Sequence, residues 1–307
     1  MERLLITLIL VCTMNNITNA QNPFYGQYHT PHGTVPFDRI ETEHYEPAIL
    51  EGIKLQNAEI EAIIQNPEKA DFSNTIEAFE ESGELLDKVV AVFGNMLSAE
   101  TNDDLQELAQ KIMPLLSEHS NNITLNEKLF ARVKEVYNQK ETLQLTQEQK
   151  QLLENAYNSF VRHGANLEGE AREEYRRLTN ELSKLTLTFS ENNLKETNAY
   201  QMLLTKKESL AGLPKIIIEA AAETAKSEEK EGWAFTLHAP SYVPFMTYSD
   251  NRDLRQKLYM AYNTKCTHDN EFNNIDIVKN IANTRMKIAQ LLGYKDYAEY
   301  TLKKRMA

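Results

Sequence analysis

Residues 160–193 constrain the fold more than any other stretch of the chain. They read FVRHGANLEGEAREEYRRLTNELSKLTLTFSENN. A helix ends in a Gly-bearing turn, and a second, long helix follows. In that helix Leu178, Leu182, Leu185 and Phe189 recur at four- and three-residue steps, so they line one face. Charged side chains fill the remaining faces. The pattern predicts a helical protein whose long helices each bury one stripe.

The rest of the chain extends this pattern. Asn22 to Pro36 is rich in Pro, Gly, Tyr and His and reads as an extended arm. Phe37 to Ile64 begins the helical body, with Pro47 marking a helix start. Ser73 or Asn74 is expected to cap a helix carrying Leu85, Leu86, Val89, Phe93 and Met96 on one stripe. Asn102 caps the next, where Pro114 is expected to kink or end it by removing a donor. Thr146 and Gln149 form a capping box for a helix with Leu153, Tyr157 and Phe160.

After about Thr197 the pattern changes. Tyr200 to Leu204 and Trp233 to Leu237 are strand-like segments bounded by breakers. Between them Pro214 opens an alanine-rich helix to Lys226, and a charged loop runs from Ser227 to Gly232. Asp250 to Lys265 and Asn274 to Leu292 are helical again, the latter terminated by Gly293. Asp296 caps a last helix with no visible terminator, so the chain is expected to stop in mid-helix. Tyr297, Tyr300 and Met306 are expected to lie uncovered there and to favour self-association.

Met1 to Ala20 reads as a secretory signal peptide: Arg3 precedes the apolar run Leu4 to Val11, and Thr18 and Ala20 stand before a cut at Gln21. The run is too short to span a membrane, which takes about 20 residues. Cys12 leaves with it, so Cys266 is left without a disulfide partner. The expected location is periplasmic or secreted. A net charge of −12, from 45 acidic and 33 basic residues, argues against a nucleic-acid partner. Only 10 Gly and 9 Pro fit a helix-rich chain, and no fixed-period repeat is visible.

Chemistry-bearing residues are scattered. His29 and His32 stand in a Pro/Gly-rich stretch, and Cys266 and His268 are two apart, one pair where a catalytic zinc takes three protein ligands. His44, His119, His163 and His238 occur singly. Glu80-Glu81, Glu173-Glu174 and Glu228-Glu229 read as solvated surface rather than paired catalytic carboxylates. No Gly-x-Ser-x-Gly elbow, phosphate loop or dinucleotide fingerprint is present. The reading assigns no catalytic, cofactor-binding or metal residue within the chain.

The wording of the helices is more specific than their periodicity. The Phe160-Val161-x-x-Gly164-Ala165-Asn166-Leu167 turn and the Asn180-Glu181-Leu182-Ser183-x-Leu185 helix resemble the thimet-oligopeptidase-like (M3) zinc metallopeptidases, most closely the peptidyl-dipeptidase (dipeptidyl carboxypeptidase) branch. Four further stretches resemble it in order: Pro36 to Ile40 with Pro47-Ala48; Phe72 to Glu80 with Ser82-Gly83; Leu210 to Pro214, Trp233 to Leu237 and Asn251 to Arg255; and Ala289 to Tyr294, Tyr297-Ala298 and Met306-Ala307. The oligopeptidase A type is close.

The resemblance implies a mainly α, elongated N-terminal half of a two-half, cleft-bearing enzyme, with a small strand element around 200–237. It divides the chain into a signal peptide (1–20), an extended arm (21–36), a helical N-terminal domain (37–199) and the start of a larger catalytic region (200–307). It implies zinc held by His-Glu-x-x-His and a further Glu, and short peptides as substrates. That zinc motif occurs nowhere in the 307 residues. The chain is therefore expected to be a fragment, inactive alone, of an exported peptidase that releases C-terminal dipeptides. Two rivals are a stand-alone exported helical protein that binds peptides without cleaving them and a helical scaffold module.

Overall fold

A computed structural model describes residues 22–306. The protein is mainly α, with two four-residue strands between residues 200 and 237. It divides into two compact units, residues 22–180 with 288–306, and residues 181–287. The expected signal peptide, Met1 to Ala20, lies outside the described residues.

In the first unit, α1 (Thr42–Gln65) is followed by a π-helical turn, Phe72–Glu77, then α2 (Glu84–Ala99), α3 (Asp103–Thr124), α4 (Glu127–Asn138) and α5 (Gln147–Arg162). Helix α6 (Gly169–Ala199) begins in this unit and ends in the second. Caps set most of these starts. The Asn102 side chain accepts from the Leu105 amide, and Thr146 and Gln149 close a reciprocal box.

Three local expectations are corrected. Neither Ser73 nor Asn74 caps the helix carrying Leu85 to Met96, which begins at Glu84 after Gly83; they lie in a separate Phe72–Glu77 turn whose N-cap is Asp71. Its carboxylate accepts from the Asn74 amide while Asn74 Oδ1 accepts from the Asp71 amide, and the turn formed is π-helical. Pro47 does not mark a helix start, because Glu41 and His44 close a box one turn earlier. Pro114 does not end α3, which continues to Thr124. The missing proline donor costs one intrahelical bond. The buried stripe Leu105, Ala109, Ile112 and Ile123 on both sides of it holds the helix together.

Two aromatic groups mark the core of this unit. Phe24 of the arm is fully buried, 5.3 Å from the Tyr45 ring, which lies 5.2 Å from Phe93. Deeper along the helices, Phe160 lies 5.3 Å from Phe79 and 5.8 Å from Phe130. Helices α1 and α2 approach closely at Gly52, where a Cβ would stand 2.9 Å from the Leu86 Cα. Between α3 and α6 runs a polar seam. Asn121, buried, donates to Thr179 Oγ1 at 2.9 Å, Ser117 donates to Asn180 Oδ1 at 2.8 Å, and Arg176 donates to Glu118 Oε1 at 2.6 Å.

The last helix, α11 (Tyr297–Leu302), corrects another expectation: it ends at Leu302 rather than running on. Nor is Tyr300 uncovered. The Arg162 guanidinium sits 4.1 Å from its ring and donates to its carbonyl at 2.9 Å. Met306 is fully exposed, as expected.

In the second unit, β1 (Gln201–Leu204) pairs antiparallel with β2 (Trp233–Thr236), Gln201 opposite Thr236 and Leu204 opposite Trp233. Helix α7 (Lys215–Ser227) stands between them in sequence, with Pro214 at its N-cap. Helices α8 (Ala239–Tyr248), α9 (Arg252–Asn263) and α10 (Ile275–Leu291) follow, α10 ending in the first unit. Met202, Leu213, Phe235, Phe245 and Leu258 form the core, with the Phe235 and Phe245 rings edge to face at 4.6 Å. Two glycines make the turns possible. Gly232 (φ +117) leaves no room for a Cβ, which would lie 2.3 Å from the Leu204 carbonyl oxygen. Gly212 (φ +85) stands equally close to the Tyr248 carbonyl.

Candidate functional site

Each candidate histidine has a local structural partner or stands in solvent. His44 Nδ1 accepts from the Glu41 amide at 2.9 Å. His163 closes the end of α5 on the Ser159 carbonyl at 2.8 Å. His238 lies 3.0 Å from Asn198 Oδ1 and 3.2 Å from Thr236 Oγ1. His119 is buried and donates to Gln56 Oε1 at 2.7 Å, and burial pushes its pKa down, favouring the neutral ring. His29 and His32 are exposed, with His32 in a left-handed backbone conformation at φ +59.

The acidic pairs do not converge either. Glu80 and Glu81 are exposed on the turn before α2. Glu174 pairs with Arg177 at 2.7 Å on the same face of α6. Glu228 pairs with Lys230 at 2.6 Å, and the hydrogen bond from Lys230 holds its carboxyl below the usual range.

A cluster of titratable groups from distant parts of the sequence surrounds Cys266, in the segment between α9 and α10. Cys266 is buried and has a left-handed backbone at φ +57. Its amide donates to the carboxylate of Glu196, seventy residues earlier on α6. Glu196 Oε1 also lies 3.6 Å from His268 Nε2, and Lys265 donates to Thr197 Oγ1 at 3.0 Å. Asn274 locks the segment further: its amide donates to the Cys266 carbonyl at 2.7 Å, and its side chain donates to the Phe189 carbonyl at 3.0 Å.

Chemically this cluster is quiet. Burial first, then the hydrogen bond and charge of Glu196, push the Cys266 thiol up to about 11. It is therefore a neutral thiol at pH 7 and a poor nucleophile or metal ligand. Sequence reasoning paired Cys266 with His268 but had no signal for Glu196, whose partnership is made by the chain's return. Among the described residues no group of three His, Cys, Asp or Glu side chains is placed to hold a metal ion. The three-ligand set that a catalytic zinc needs is not assembled among these described residues.

Open depressions are the remaining candidates. In the first unit, one of about 710 Å³ is lined by Phe24 and Gly26 of the arm, Lys54 and Leu55 of α1, and Glu84 and Lys88 of α2. Lys88 donates to the Gly26 carbonyl at 2.9 Å and stands 4.7 Å over the Tyr28 ring, so it fastens the arm. In the second unit, a smaller one of about 380 Å³ runs along α8 and α9. No helix among the described residues is long and apolar enough to cross a membrane.

Residues 245–307 match Peptidase family M3. The chain is 35% identical over 289 residues to dipeptidyl carboxypeptidase of Escherichia coli (strain K12), an alignment covering 94% of this chain and 42% of that protein. It is 29% identical over 290 residues to oligopeptidase A of Salmonella typhimurium, covering 93% and 42%. It is 31% identical over 279 residues to oligopeptidase A of Haemophilus influenzae, covering 90% and 41%. The chain thus spans about two-fifths of the length of these curated relatives.

Proposed function

We infer that this chain, which belongs to peptidase family M3, forms part of a longer zinc metallopeptidase that hydrolyses short peptides. The observation that carries the reading is alignment over 94% of the chain with a dipeptidyl carboxypeptidase, in a chain that itself lacks His-Glu-x-x-His. The zinc ligands and the general base belong, on this reading, to the part of the relatives that has no counterpart here. The described residues contribute scaffold: two packed units and the surfaces they present to substrate.

Within that class we favour release of C-terminal dipeptides over internal cleavage, on the higher identity to the carboxypeptidase, 35% against 29–31% for the oligopeptidases A. Export completes the proposal, on the strength of Arg3, the apolar run Leu4 to Val11 and the small residues Thr18 and Ala20. The non-catalytic peptide-binding reading is the rival.

The test is a cleavage assay on the product of the complete gene, using N-blocked tetra- to hexapeptides with mass-spectrometric readout. Successive loss of dipeptides from the C-terminus, abolished by a chelator and restored by zinc, is the expected result. Single internal cuts would replace this activity with the oligopeptidase A type. No cleavage at all would overturn the peptidase reading, and retention of the intact peptides by the protein would then favour the binding reading. The 307-residue chain assayed alone is expected to cleave nothing and to carry no stoichiometric zinc by elemental analysis.

A further inference from the structure

The N-terminal arm is fastened from its first described residue. Asn22 is buried, its side-chain amide donates to the His44 carbonyl at 2.8 Å, and its Oδ1 accepts from the Phe24 amide at 3.1 Å. The Tyr25 amide donates to the Asn22 carbonyl at 3.1 Å, so residues 22–25 form a closed turn. Phe24 is fully buried against Tyr45. Lys88 holds the next stretch, donating to the Gly26 carbonyl and covering the Tyr28 ring. Beyond it residues 31–34 are exposed, so the arm can lift from α1 and α2 without unwinding either helix.

These contacts bear on the expected cut between Ala20 and Gln21. Asn22 is the second residue after that bond, and two residues of chain reach at most about 7 Å. A folded, hydrogen-bonded body therefore begins within about 7 Å of the bond to be cut. A peptidase grips its substrate as an extended segment and pairs with its backbone. Residues 22–25 cannot be extended in such a cleft and turned around Asn22 at the same time. We infer that the docked arm shields the cut, so that processing and folding compete: residues 1–20 are removed while the arm is undocked, and a chain that docks its arm first keeps them. The existence of the cut rests on the export reading, while the shielding rests on the arm alone. Its strength follows from Phe24, since burying one phenylalanine shifts such an equilibrium by a factor of about ten to a hundred.

The test uses the precursor made from the complete gene, held in mild detergent, treated with signal peptidase and followed by intact mass. Precursor unfolded in urea and diluted just before the enzyme is added is expected to be cut between Ala20 and Gln21. Folded precursor should be cut about ten- to a hundredfold more slowly. Phe24→Ala, which empties the socket, should abolish most of this difference between its own folded and unfolded forms. Lys88→Gln leaves the socket filled, should abolish part of the difference, and decides the matter if Phe24→Ala does not fold. Equal rates for the folded and unfolded wild-type precursor would overturn the inference and leave the export reading standing. A difference that persists undiminished in the folded variants would also overturn it, because the protection would then come from elsewhere. Failure of the unfolded precursor to be cut at this bond would remove the export reading, and the inference with it.

Discussion

In the unit made of residues 22–180 and 288–306, the buried side chains Phe93, Ile112, Leu129, Leu153 and Phe160 sit on helices of twelve residues or more. In residues 181–287, Met202 and Phe235 come from four-residue strands and Phe245 from a ten-residue helix with two prolines. The first unit derives its order from long apolar stripes. The second needs a specific backbone path, held by Gly212, Gly232 and the Glu196–Cys266–Asn274 contacts, before its core side chains can meet. The contrast teaches that equal burial can rest on unequal local propensity. Stripes tolerate local defects such as Pro47 and Pro114, whereas a turn-dependent core has no such reserve.

The largest expected effects come from emptying each core. Phe160→Ala and Phe235→Ala should each cost about 3–5 kcal/mol, the range for large aromatic truncations. Urea unfolding gives the total, and hydrogen exchange by peptide gives the place. Faster exchange confined to the mutated unit supports the contrast, and uniform acceleration over both would dissolve it.

Glycine substitutions separate the two units more sharply. Gly232→Ala forces a Cβ to within 2.3 Å of a backbone oxygen at positive φ, and should cost at least about 1–3 kcal/mol. Gly94→Ala, in α2 with nothing within 4 Å of the new methyl, should stabilise by about 0.5–1 kcal/mol. The sign difference is read directly from thermal melts of the two variants. A harmless Gly232→Ala would mean that the β2 turn relaxes, and that the second unit is less path-dependent than its geometry indicates.

The smallest effect concerns His119. Its folded pKa lies below the ordinary 6.5, because burial disfavours the charged ring. As pH falls below 6.5 the unfolded chain takes up this proton first. Stability is therefore complete above about pH 6.5 and declines as pH drops towards the folded value, by at most about 1.4 kcal/mol per pH unit for one proton. Denaturant melts between pH 7.5 and 5 should show this slope reduced in His119→Gln. An unchanged slope would assign it to other groups.

These contrasts also explain what the sequence disclosed. Asn102, Thr146 with Gln149, and Asp296 were legible as caps, because a cap is a contact within three residues. The strands and the Pro214 helix were legible from their breakers. Helix α8 was not, since Pro240 and Pro244 disguise it, although Pro240 stands in the first turn where proline is tolerated. Asp71 was missed because the turn it caps is π-helical, a rare form with no strong sequence signature. For the candidate sites the limit is different in kind. Glu196 meets Cys266 across seventy residues, a contact that no local spacing announces.

The sequestered thiol of Cys266 gives the protein an internal clock. It is the single cysteine among the described residues, and it is buried and protonated while Glu196 and Asn274 hold the loop. A small alkylating reagent can reach it only during excursions that release those contacts. At high reagent concentration the labelling rate equals the rate of opening, and at low concentration it reports how often the loop stands open. The same covalent tag, followed by intact-protein mass, thus times a motion that no spectroscopic probe has to be engineered to see.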